Sequence, residues 1–178
     1  MRVWRGDELV VQLGAQELTL TAGTVVGRGV TVRTSQGELA ASRLEFDLRT
    51  NAARASGDVR GSRDGWVFSG GLVRFRSDGV VLGEAPFELA HGSVVRHRGE
   101  AFEWDPVGAV AVISQLSSVM EGEGRPVTLR ADRVAYRETP RTAQATGHVL
   151  LDAAAPARAT LRFVPGQEGV RLAEVRAE

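Results

Sequence analysis

Residues 39 to 59, LAASRLEFDLRTNAARASGDV, return ninety positions later without a gap as LRADRVAYRETPRTAQATGHV, residues 129 to 149. Leu39, Ala41, Arg43, Ala53, Ala55, Gly57 and Val59 recur as Leu129, Ala131, Arg133, Ala143, Ala145, Gly147 and Val149, while Leu44 and Phe46 become Val134 and Tyr136. The first half of the unit occurs a third time, because Phe68, Gly70, Val73 and Phe75 keep the same spacing. Self-similarity at a fixed offset is the mark of stacked supersecondary units.

The copies read as strands. Apolar and polar residues alternate with period two, so that Val127, Leu129 and Ala131 face one way and Thr128 and Arg130 the other. The parity then flips: Val134 and Tyr136 face in, Arg133 and Arg137 out, which calls for an extra residue or corner near Asp132, with Ser42 and Gly71 at the equivalent places. Each unit is thus a strand, a corner, a second strand, a polar turn such as Glu138-Thr139-Pro140-Arg141, and a third strand running through Gly-x-Val. Arg54, Ser56, Asp58 and Arg60 make the outer face of that third strand polar.

A length of 178 residues suits one all-β domain with a real core, and 21 glycines among Val, Thr and Leu suit many short strands. Aromatic residues are only 6% of the chain, so the interior is built from aliphatics and alanine, whose small side chains leave room inside. The formal net charge is zero, which gives no field to draw nucleic acid or an anionic membrane. All 22 basic residues are arginine. Without lysine there is no phosphate-loop lysine and no Schiff-base nucleophile, and without cysteine no disulfide, thiol catalysis or cysteine zinc site. The longest apolar run, Val107 to Ile113, is too short to span a bilayer, and the first residues lack the apolar stretch of a signal peptide.

Residues 8 to 34 read as two or three strands, with Val25 to Val32 forming two runs around a Gly27-Arg28-Gly29 hairpin turn. Short strands broken at Gly83, Pro86, Gly92 and Gly99 follow, and residues 79 to 125 show no convincing copy of the repeat. Over residues 105 to 121 the Asp105-Pro106 start and the spacing of Val112, Leu116, Val119 and Met120 favour a short helix or irregular insertion, although Val110 and Val112 also alternate as in a strand. His91 and His97 share a strand face, but six extended residues place them about 20 Å apart, too far to hold one metal ion. His148, in the Gly-x-Val step, points to solvent. No nucleophile-elbow spacing accompanies the serines, and nothing argues for an enzyme.

The repeated Leu-x-Ala-Asp/Ser-Arg-Leu/Val-x-Tyr/Phe, followed some ten residues on by Ala-x-Ala-x-Gly-x-Val, resembles the OstA-like repeat of lipopolysaccharide-transport proteins. The match is strongest at Leu129, Ala131, Asp132, Arg133, Val134, Tyr136, Ala143, Ala145, Gly147 and Val149. It departs from the family where Asp58 and His148 stand between Gly and Val, a place the family commonly gives to Asn. The resemblance implies an incomplete antiparallel β-jellyroll, two facing sheets around an apolar groove open at its ends. It also implies a periplasmic, non-enzymatic module without cofactor that carries lipopolysaccharide or a similar envelope lipid toward the outer membrane. The lipid-facing residues would be Leu39, Leu44, Phe46, Val59, Phe68, Val73, Phe75, Leu129, Val134, Tyr136 and Val149. Homologous β-jellyroll domains would join head to tail by edge pairing, with exposed backbone expected near residues 8 to 13 and 170 to 176, where Arg171, Glu174 and Arg176 guard the edge. The competing reading is a structural, self-assembling β-scaffold with a filled interior, which would carry larger core side chains than these alanines and glycines.

Overall fold

A computed structural model describes residues 2–5, 8–35, 37–63, 65–93, 95–152, 154–166 and 169–177. Among these, seventeen strands form one hydrogen-bonded sheet. They are β1 (Arg2–Arg5), β2 (Glu8–Gly14), β3 (Glu17–Thr21), β4 (Thr24–Thr34), β5 (Gly37–Asp47), β6 (Ala52–Arg63), β7 (Trp66–Phe75), β8 (Val81–Gly83), β9 (Phe87–His91), β10 (Val95–Gly99), β11 (Ala101–Asp105), β12 (Val110–Glu121), β13 (Pro126–Arg137), β14 (Thr142–Thr146), β15 (Leu150–Leu151), β16 (Arg158–Gly166) and β17 (Gly169–Ala177).

The long strands change direction in mid-course, and their two ends belong to different layers. In the first layer the order is β3, β4, β5, β6, β7, β8, β11, β12, β13, β14, β16, β17, each antiparallel to its neighbours. In the second it is β1, β2, β4, β5, β6, β7, β9, β10, β12, β13, β15, again antiparallel. Strands β4, β5, β6, β7, β12 and β13 run through both. The sheet is therefore folded over on itself, and the fold is the all-β, incomplete antiparallel jellyroll.

The fold line can be traced residue by residue. It carries Gly29 (φ 54°) in β4, Ser42 in β5, Gly57 (φ 71°) and Asp58 (φ 48°) in β6, and Gly71 in β7. In the second copy it carries Gln115 (φ 52°), Asp132, then Gly147 (φ 70°) and His148 (φ 40°). The pairing skips from Ala40↔Arg60 to Arg43↔Ser56, so two residues of β5 face three of β6. It skips in the same way from Arg130↔Leu150 to Arg133↔Thr146. The extra residue predicted near Asp132 thus sits on the partner segment, as a bulge at Gly-x-Val. Consequently the inward residues flanking the fold line are three apart in the plain strands (Ala41 and Leu44, Gly70 and Val73, Ala131 and Val134) and four apart in the bulged ones (Ala55 and Val59, Ala145 and Val149).

Both layers contribute to the interior. One buried cluster joins Val134, Ala143, Ala145, Ala159 and Leu161 of the first layer to Leu116, Met120, Leu129, Ala131 and Val149 of the second. Another joins Ala55 and Val73 to Ala41 and Val59. The outer faces carry arginine–carboxylate pairs within and across strands, such as Arg43 and Arg54 on Glu45 and Arg96 and Arg98 on Glu88. Being exposed, these keep the outside soluble and add little stability.

Three expectations are corrected. Residues 105–121 form no helix: Asp105 Oδ1 accepts the N–H groups of Val107 (2.9 Å) and Gly108 (3.0 Å), closing a turn, and β12 then runs for twelve residues between β11 and β13. An aspartate before proline caps a turn as readily as a helix, and the β-branched Val110, Val112 and Ile113 take the strand once partners stand on both sides. The Gly27-Arg28-Gly29 hairpin is absent too. Strand β4 is continuous, paired with β5 from Thr24↔Asp47 to Thr34↔Gly37, and Gly29 only bends it. Finally, β2 is no edge, since Leu9 to Gln12 pair with β1 and Val11 to Gly14 with β4; the N-terminal edges are β1 and β3.

Candidate functional site

The register aligns the inward side chains into rows across both walls. On the first wall one row runs Leu18, Gly27, Leu44, Ala55, Val73, Gly83, Phe102, and the next Leu20, Val25, Phe46, Ala53, Phe75, Val81, Trp104. On the second wall a row runs Val32, Leu39, Gly61, Phe68, Leu89, His97, Ser118, Leu129. On the first wall smaller residues alternate with larger ones along each row. Where the rings meet, Phe102 of the first wall packs edge-on against Phe68 (5.7 Å between centroids) and Phe87 (4.9 Å) of the second.

Burial along these rows is uneven. Toward the C-terminal end the interior is closed: Leu129 is 1% exposed, Val134 3%, Val149 2%, and Ala145, Ala159 and Leu161 0%. The room expected from small side chains is therefore absent at that end, where alanines let the walls approach and fill the space. Toward the N-terminal end Val30, Ala55, Val59 and Val73 are comparably buried, while Leu39, Leu44, Phe46, Phe68 and Phe75 stay half-buried despite facing inward. Tyr136 is half-buried as well, against Phe163 at 6.0 Å. At the last strand of the first wall, Leu18 and Leu20 are 51% and 66% exposed, because among the described residues β3 pairs with β4 alone. The eleven sequence-selected residues thus all face the inner walls, six of them half-buried.

Several inner-wall residues escaped the sequence reading, among them Phe87, Phe102, Trp66 and Leu116. For Leu116 a signal existed: Ile113-x-x-Leu116 repeats the fold-line spacing inside residues 79 to 125, where no copy was evident.

The histidines need a second correction. Gly92, with φ 59°, turns the chain, so His91 and His97 lie on adjacent antiparallel strands and both approach Trp66, at 4.9 and 5.8 Å between ring centroids. Among the described residues no group of three or more His, Cys, Asp or Glu side chains is placed to hold a metal ion. His97 Nδ1 lies 2.7 Å from Ser118 Oγ, and burial pushes its pKa down to about 4, so the ring is neutral at neutral pH. His148 is outside, as expected, with Nδ1 2.7 Å from Asp132 Oδ2. On the outer face, Asp58, Arg60, Ser69, Gly71, Glu88 and Arg98 surround an open cleft of about 450 Å³, where Arg98 pairs with Glu88 at 2.8 Å.

No family model matches the sequence, and no curated protein matches it. Among solved structures the chain is similar to LptH of Pseudomonas aeruginosa, the LptA-homologous periplasmic component of the lipopolysaccharide transport device. The identity is 12%, covering 92% of this chain and 94% of that one, with a TM-score of 0.31. A superposition that loose transfers no residue role to this chain.

Proposed function

We infer that the protein is a non-enzymatic lipid-carrying module, holding acyl chains of lipopolysaccharide or a similar amphipathic envelope lipid between its two walls in the periplasm. One observation carries the reading: large apolar side chains that face inward at the N-terminal end remain half-exposed, and Leu18 and Leu20 continue that lining to an unpaired edge. Contiguous apolar surface of this kind costs free energy in water and is retained where something apolar covers it. Lining without strong polar anchors suits passage better than tight retention.

The same edge supports the assembly part of the proposal. Strand β3 offers free backbone donors and acceptors, and a homologous β-jellyroll domain or second copy pairing there would extend both the sheet and its lining. At the other end Leu172 is 6% exposed and belongs to the core, so the guarded C-terminal edge is the backbone of β17 and not its apolar face.

The test is photo-crosslinking in cells that make the lipid. A photoreactive residue at Phe46 or Phe75 should capture acyl lipid, and one at outward Arg54 or Gln144 should not. Equal labelling at both kinds of position rejects an internal path. The closed C-terminal interior favours the structural scaffold as second reading, which would give labelling at neither.

A further inference from the structure

Two imidazoles interrupt the apolar lining of the second wall. His91 stands opposite Trp66 on one side and Val95 on the other, and His97 opposite Ser118, all four strands presenting these side chains inward. His97 is satisfied by the Ser118 hydroxyl. His91 is not: its Nδ1 is buried and has no hydrogen-bond partner. Its neighbourhood is apolar, with Val95 2% exposed and the Trp66 ring packed against it. A buried imidazole nitrogen without a partner is a cost that folded proteins seldom carry unless another molecule supplies the missing bond.

We propose that His91 Nδ1 is a docking point inside the groove for an uncharged hydroxyl group borne on a lipid acyl chain. The inference rests on the lipid-carrying reading and gives it a chemical preference. A hydroxyl fits because a neutral imidazole nitrogen donates in one tautomer and accepts in the other, and a hydroxyl answers both. A charged group does not fit, because the same wall already keeps His97 neutral to about pH 4 by desolvation. The flat face of Trp66 offers hydrocarbon contact beside the polar atom.

The experiment compares tetradecanoic acid with 3-hydroxytetradecanoic acid, two chains of equal length differing by one hydroxyl, by calorimetric titration of the whole chain. One hydrogen bond to a neutral group predicts about five-fold tighter binding of the hydroxylated chain. His91→Phe should erase that preference, so that the variant binds the two chains equally, with phenyl keeping the packing on Trp66. In the wild type, the ¹⁵N signal of His91 Nδ1 should shift with the hydroxylated chain and not with the plain one, a readout independent of the variant's folding. Equal affinities with no Nδ1 shift overturn the docking point and leave the lipid reading standing; binding of neither chain overturns both.

Discussion

Across the fold line, His148 Nδ1 lies 2.7 Å from Asp132 Oδ2, and the Asp132 N–H donates to the Gly147 carbonyl at 2.8 Å. The bulged Gly-x-Val step is thereby tied to the strand whose bend it matches. Gln115 Nε2 reaches the other carboxylate oxygen at 3.4 Å, so a single side chain joins three adjacent strands where the sheet turns over. In the first copy Ser42 stands in the place of Asp132 and Gly29 in that of Gln115.

That geometry predicts the cost of substituting the bulge. A methyl group at Gly147 would sit 2.6 Å from Asp132 Oδ2 with the backbone at φ +70°, so Gly147→Ala should destabilise by about 1 to 3 kcal/mol in chemical denaturation. The double variant with Asp132→Ser should recover part of this loss, because the shorter side chain removes the contact with Oδ2 but leaves the 2.9 Å approach to Cβ and the backbone strain. His148→Asn, which tolerates the left-handed region well, should be neutral within about 0.5 kcal/mol, and His148→Val should cost about 1 kcal/mol or more.

The closed and open ends of the interior should respond differently to truncation. Leu129→Ala, at a position 1% exposed, is expected to cost about 2 to 5 kcal/mol. Phe46→Ala, at a half-buried position, should cost clearly less than the roughly 3 to 5 kcal/mol of a core phenylalanine. Enlarging fully buried Ala145 to Leu should destabilise by about 1 to 3 kcal/mol through overpacking. Urea midpoints of the three variants measure the ordering directly.

His97 makes stability depend on pH. Its pKa falls from the ordinary 6.5 to about 4 on folding, so between those values the unfolded chain binds more protons than the folded one. Stability contributed by the neutral ring is present above pH 6.5 and is lost as pH falls toward 4, on the order of 3 kcal/mol in total. In His97→Phe this acid-side slope should flatten; an unchanged slope would assign it to other groups.

Self-association should depend on β3. Leu20→Pro removes an N–H of the edge strand that points away from β4, and Leu18→Arg places a charge on its inward, 51% exposed side. Either should weaken concentration-dependent assembly in light scattering while leaving the far-ultraviolet β signal intact. A wild type that stays monomeric at every concentration and ignores homologous β-domains removes the head-to-tail part of the proposed function.

What the sequence determined by itself was local and periodic. The alternation of Leu129, Ala131, Val134 and Tyr136, its parity flip at Asp132, and the ninety-residue echo were enough for strands, corners and an all-β domain, because side-chain direction in a strand follows from chain geometry alone, while the jellyroll arrangement came from the resemblance to the OstA-like repeat. Elements with two local solutions were left to tertiary pairing. Asp105-Pro106 opens a helix or closes a turn, and Gly27-Arg28-Gly29 reverses a chain or bends it; only the partners β11, β13 and β5 chose. Burial of the candidate groove residues was likewise beyond reach of the repeat. Leu39 and Leu129 hold equivalent places, yet one is half-exposed and the other sealed, because β16 and β17 close the interior near Leu129 and, among the described residues, no strand pairs beyond β3. The meeting of His91, His97 and Trp66 came from the turn at Gly92 and the pairing of β7 with β9, long-range contacts that no strand's own spacing encodes.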